Sequence, residues 1–99
     1  MKLQHETITY NLQEALDYLE GVVKRSKVKT LNDGEFLPEV EHILWHINFA
    51  FNARYLSRAK VSRLKQVDYE KYLLPPKEIF ERKAKYRKNK QGQWLSIKK

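Results

Sequence analysis

The sequence predicts a mainly α protein: a small helical bundle of three principal helices, closed by a short irregular or β-hairpin C-terminal segment. Three observations predict it. Apolar residues recur at three- and four-residue spacing over two long stretches, helix-start signals stand before them, and the connections between them are short. Ninety-nine residues, 41% hydrophobic and 32% charged, fit a single domain spanning 1–99. A second core would have too little apolar surface to stand alone.

The elements follow in chain order. Met1 to Tyr10 alternates loosely and reads as a short edge strand or an extended arm. Asn11 reads as a helix cap, with Glu14 three residues later completing a capping box. Leu12, Ala15, Leu16, Leu19, Val22 and Val23 then form one apolar stripe. Lys24, Arg25 and Lys27 oppose the negative end of the helix dipole, so the helix is expected to end near Ser26. Asn32-Asp33-Gly34 is a turn signal.

The central helix is expected from Pro38 to about Ala59, with Pro38 in the first helical position. Turned through about 100° per residue, Val40, Ile43, Leu44, Ile47, Phe51 and Tyr55 fall on one side. Trp45, Phe49, Ala53 and Leu56 fall nearly opposite, among His42 and His46. A helix apolar on two sides is expected to be buried on two, with the first and last helices as its covers. One short chain has few elements with which to cover both, which points to a homodimer.

Val67-Asp68 reads as the cap of a short turn, Tyr69 to Leu73. Pro75-Pro76 stops that turn and starts a last helix from about Lys77 to Lys88. The rival for the end of the chain is a β-hairpin pairing Ala84–Lys88 with Gln93–Lys98.

Several function classes are disfavoured at once. The chain has no cysteine, which removes disulfides, thiolate metal sites and cysteine nucleophiles. No apolar run reaches the roughly 20 residues of a membrane span, and the first residues lack a secretory h-region, so the expected location is the cytoplasm. Serines lack a histidine at any readable spacing, and the three glycines stand too far apart for a phosphate loop. An enzyme is therefore the weaker class.

Charge gives the strongest functional signal. Residues 1–52 carry five Lys/Arg against eight Asp/Glu, a net of −3, while residues 53–99 carry fifteen against four, a net of +11. Such asymmetry points to a polyanionic partner for the second half. Arg54, Arg58, Arg63 and Lys65 form one candidate contact cluster, and Arg82, Lys85, Arg87 and Lys88 a second, interleaved with aromatic side chains. Lysine and arginine neutralise phosphates, and aromatic rings stack on unpaired bases.

Two further constellations lie on the central helix. His42 and His46, at i and i+4, share a face with Glu39 and make a candidate site for a divalent metal. The pair resembles the helical-bundle metal proteins of the DinB type, which implies a divalent ion; the chain is shorter than that family and places no third histidine. The glutamate of a zinc-protease helix would follow the first histidine, where Ile43 stands instead. Glu41, Asn48, Asn52 and Tyr55 form a polar seam, read either as the floor of a cleft or as a buried amide pair fixing helix register.

The expected protein is a small, non-catalytic, cofactor-free binding or regulatory module whose basic half contacts nucleic acid or an acidic protein. Its alternatives are a metal-binding helical protein or enzyme using His42, His46 and Glu39, and an adaptor or subunit of a complex.

Overall fold

The computed structural model describes residues 1–80 and 86–96. It is mainly helical: α1 (His5–Lys27), α2 (Asp33–Asn52), α3 (Arg58–Ser62), α4 (Gln66–Tyr72) and a single turn α5 (Lys77–Phe80). A short antiparallel ladder follows, β1 (Tyr86–Lys88) on β2 (Trp94–Ser96), with Arg87 opposite Leu95. The main interface is between α1 and α2, and α4 makes a much smaller one with α2.

The first helix begins well before the expected cap at Asn11, so residues 5–10 are helical instead of extended. Tertiary anchors override the β-branched Thr7, Ile8 and Thr9 here. The Gln4 N–H donates to the Arg54 carbonyl at 2.7 Å, and the fully buried Thr7 hydroxyl donates to the Leu56 carbonyl at 2.6 Å. Asn11 is thus an interior residue, buried against α2. At its other end α1 closes on Lys29, whose φ is +59°. The Lys29 N–H bonds the Ser26 carbonyl and the Thr30 N–H bonds the Arg25 carbonyl, a Schellman closure.

The Asn32-Asp33-Gly34 turn signal proves to be the start of α2. The Asn32 side chain accepts from the Glu35 N–H at 3.0 Å. Pro38 consequently lies inside the helix, where its ring forgoes the bond to the Gly34 carbonyl. The helix stops at Asn52, short of the expected Ala59, because the chain reverses through the fully buried Ala53. The Phe51 carbonyl then accepts from Arg54, and Ser57 caps α3.

Helix α1 meets α2 through its narrow edge. Thr7, Asn11, Ala15 and Val22 are buried, as are Ile43 and Ala50 on α2 and Ala53 just past its end. The far end is tied by Arg25, which bonds the Glu35 and Glu39 carboxylates and the Gly21 carbonyl. On the other side of α2, Phe49 is only 2% exposed, under the rings of Tyr69 (5.0 Å) and Tyr72 (5.7 Å) of α4.

Two expectations are corrected here. Burial on both sides of α2 does not extend along its length, since Leu44, Trp45 and Ile47 are each more than 40% exposed. The second cover is the short α4, which reaches only the C-terminal half of α2, and not a long last helix. Of the helix expected from Lys77 to Lys88, residues 77–80 are helical, residues 81–85 lie outside the described residues, and residues 86–88 are extended. The hairpin alternative over 84–98 falls partly outside the described residues.

Candidate functional site

Helices α1, α2, α3 and α4 together enclose an open cleft of about 380 Å³, whose lining includes Tyr10, Asn11, His46, Arg58, Ser62 and Tyr69. A chain of hydrogen bonds runs along its floor. The Asn11 amide nitrogen donates to the Thr7 carbonyl at 3.0 Å, which orients the amide and turns its oxygen toward α2. That oxygen lies 3.1 Å from Nδ1 of His46, so Nδ1 carries the proton and donates. Nε2 of His46 is then the acceptor, and Nε2 of His42, 3.1 Å away, donates to it.

The electrostatics agree with this assignment. Burial lowers the pKa of His46 below its ordinary value of 6.5, the neighbouring His42 lowers it further, and Glu14 acts in the opposite sense. A neutral His46 is what the hydrogen-bond chain requires. Beyond it, the Tyr18 ring lies 4.3 Å from that of His42, tilted against it.

Glu39 does not join this pair. Its carboxylate is engaged by the Arg25 guanidinium, and among the described residues no three His, Asp or Glu side chains converge. The polar seam is also taken up internally. Asn48 donates to the Leu73 carbonyl at 3.0 Å, and Asn52 donates to the Tyr72 and Leu74 carbonyls at 2.9 Å each. These amides satisfy the free carbonyls at the end of α4 and clamp it to α2. Tyr55 lies under the Arg54 guanidinium, 4.5 Å from the ring centre, and Glu41 is exposed.

The basic residues divide in two. Arg54 is held by Glu78 at 3.2 Å, by the Phe51 carbonyl and by the Phe51 and Tyr55 rings, which makes it structural. Arg58 instead lies over the Tyr10 ring, 3.9 Å from its centre, at the edge of the cleft. Arg58, Lys60, Arg63 and Lys65 enter no ion pair among the described residues, and the last three are exposed. Of the second cluster, Arg82 and Lys85 lie outside the described residues, while Arg87 and Lys88 fall in β1.

Sequence reasoning missed Asn11 and Tyr10 as parts of this site, because it placed the start of α1 at Asn11. One signal was available: an asparagine one turn after a threonine, on the edge of a stripe containing alanine, is as consistent with a close helix contact as with a cap. No described helix is long and apolar enough to cross a membrane. No protein family, curated protein or solved structure matches this chain.

Proposed function

We propose that this chain is a non-catalytic nucleic-acid-binding protein, which grips phosphates along Arg58–Lys65 and receives an unpaired base at the adjoining cleft. The observation that carries the reading is the placement of Arg58. Its guanidinium is held over Tyr10 at the cleft edge, without a carboxylate partner among the described residues, at the head of a run of exposed cations. A cation positioned by an aromatic ring keeps its charge available while its side chain is already ordered. Tyr10 and Tyr69, 46% and 38% exposed, offer ring surface beside it for stacking.

Titration of a fluorescent single-stranded oligonucleotide across a salt series tests the proposal. On a single strand, four to six neutralised phosphates give a slope of log K against log[salt] of roughly −3 to −4. Affinity that ignores salt, or no binding at low salt, overturns it. Binding of a poly-glutamate peptide but not the oligonucleotide favours an acidic protein partner instead.

One observation favours a second reading, a divalent metal held by His42 and His46. Their Nε2 atoms lie 3.1 Å apart. A tetrahedral ion bound at about 2.0–2.1 Å holds two such nitrogens about 3.3 Å apart, close to the observed spacing. A third ligand would have to come from a side chain that moves, or from water. Metal analysis of untagged protein, with His46→Ala as the control, decides it: a stoichiometric ion lost in the variant supports the reading, and no ion retires it.

A further inference from the structure

The cores of the two long helices are arranged the wrong way round for a lone molecule. The α1 edge that meets α2 carries Thr7, Asn11 and Ala15, while the stripe of larger aliphatics beside it faces outward. Leu12, Leu16, Leu19 and Val23 are each 43–46% exposed. On α2 the adjacent stripe is just as bare, with Leu44 at 49% and Ile47 at 43%. The two stripes meet where Leu12 and Ile47 line one groove, bordered at its end by the Arg54 side chain and by Ile79 of α5.

Three quantities describe how little of the chain as a whole is packed away. The chain exposes 8283 Å², whereas a compact monomer of its mass exposes about 5,900 Å². Its radius of gyration is 16.2 Å, against roughly 13 Å for a compact domain of this length. The apolar residues in the core are Ala15, Val22, Ile43, Phe49, Ala50 and Ala53, three of them alanines. Half-exposed aliphatics at this density amount to some 500–600 Å² of apolar area per copy, at the upper limit for a free monomer and most of the roughly 800 Å² that each partner gives to a stable interface.

We infer that this face is a homodimer interface, across which two α1–α2 hairpins pack as a four-helix bundle whose shared core is built from both copies. A second copy is the occupant that the features of the face describe. The hairpin presents two apolar stripes on helices of 23 and 20 residues, and two such layers placed face to face around a two-fold axis make a closed four-helix core. Charge does not oppose the union, because residues 1–52, which carry the face, have a net of only −3. From the segment after α2, Arg54 and Ile79 border the groove at Leu12 and Ile47, while Arg58, Lys60, Arg63 and Lys65 do not line it. The cleft lies elsewhere, lined by none of the stripe residues, so a dimer carries two clefts and two basic runs.

Sedimentation equilibrium of the full chain over a concentration series, from below 1 μM to above 100 μM, tests this directly. The expected species is a dimer that dissociates only at the dilute end. Leu19→Glu places two buried charges in the symmetric interface and is expected to raise the dimer dissociation constant about a hundredfold or more. Asp17→Asn, on the opposite side of α1, is the control that leaves it unchanged. Should Leu19→Glu fail to fold, the milder Leu16→Gln is read in the same way. A monomer at every concentration, or higher-order species that grow without limit, overturns the inference. Because the oligonucleotide titration reads the other surface, failure of either test leaves the other standing.

Discussion

The Asn11 side-chain oxygen holds Nδ1 of His46 at 3.1 Å across the α1–α2 interface, and this bond decides where the His46 proton sits. With Asn11 oriented by the Thr7 carbonyl, the imidazole is neutral at Nε2 and accepts from His42. Protonation of His46 would set two N–H groups against each other at 3.1 Å.

A pH dependence of stability follows. The pKa of His46 is lowered in the folded state by burial and by His42, against the contribution of Glu14. The unfolded chain therefore takes up a proton first as pH falls, near 6.5. Stability is at its full value above pH 6.5 and declines as pH drops through the interval down to the lowered folded-state value. Urea denaturation from pH 8 to pH 5 is expected to show this decline, and His46→Gln to flatten it. An equal slope in the variant would remove His46 as the cause.

How much of this was legible in the sequence depends on the range of the interaction. The existence of the two long helices was readable from apolar spacing, and the Pro75-Pro76 boundary from proline geometry, because both are local. Their ends were not. That Asn11 lies inside α1 and does not cap it is settled by Thr7 reaching Leu56 and by Gln4 reaching Arg54, bonds that span about half the chain. The cleft was hidden for the same reason: Tyr10, His46 and Arg58 are far apart in sequence and meet only after the hairpin closes. Charge counting could not separate Arg54, paired with Glu78, from Arg58, which has no such partner among the described residues.

Lys29 offers a test of the α1 closure. It holds the left-handed position of a Schellman motif at φ +59°, where glycine is the favoured residue. A side chain there costs roughly 1 kcal/mol, part of which is offset by the extra freedom glycine brings to the unfolded chain. Lys29→Gly is expected to stabilise the fold by about 0.5–1 kcal/mol in chemical denaturation, and Lys29→Val to destabilise it. No gain with glycine would mean that this closure is absent in solution.

The amide clamp on α4 predicts a local effect. Asn52 satisfies two carbonyls and Asn48 a third. Asn52→Ala removes two of these bonds, at a cost of about 1–2 kcal/mol, and loosens α4 while the α1–α2 hairpin stays intact. Hydrogen exchange should then show lost protection across residues 66–74 with little change in residues 11–25. Phe49→Ala differs: it empties a site roofed by Tyr69 and Tyr72 and should lower global stability by about 3 kcal/mol or more. Uniform loss of protection in Asn52→Ala would show that α4 and the hairpin unfold as one unit.

Arg54 and Arg58 stand four residues apart with opposite expected roles, so the pair tests the nucleic-acid reading more sharply than either alone. Arg54 is bonded to Glu78 and to the Phe51 carbonyl. Arg54→Ala should therefore destabilise the fold, and should change oligonucleotide affinity little under conditions where the variant remains folded. Among the described residues Arg58 is held by the Tyr10 ring, with no ion pair, and it borders the cleft. Its replacement by alanine should cost little stability and weaken binding severalfold at low salt, with the magnitude of the salt slope falling by about 0.7 on a single strand. Tyr10→Leu keeps the charge but removes the ring that orders it. It should weaken binding with the slope unchanged, because the same number of phosphates is neutralised. If Arg54→Ala lowers the slope and Arg58→Ala does not, the basic contact runs along the wrong side of the cleft and the proposed orientation of the strand fails.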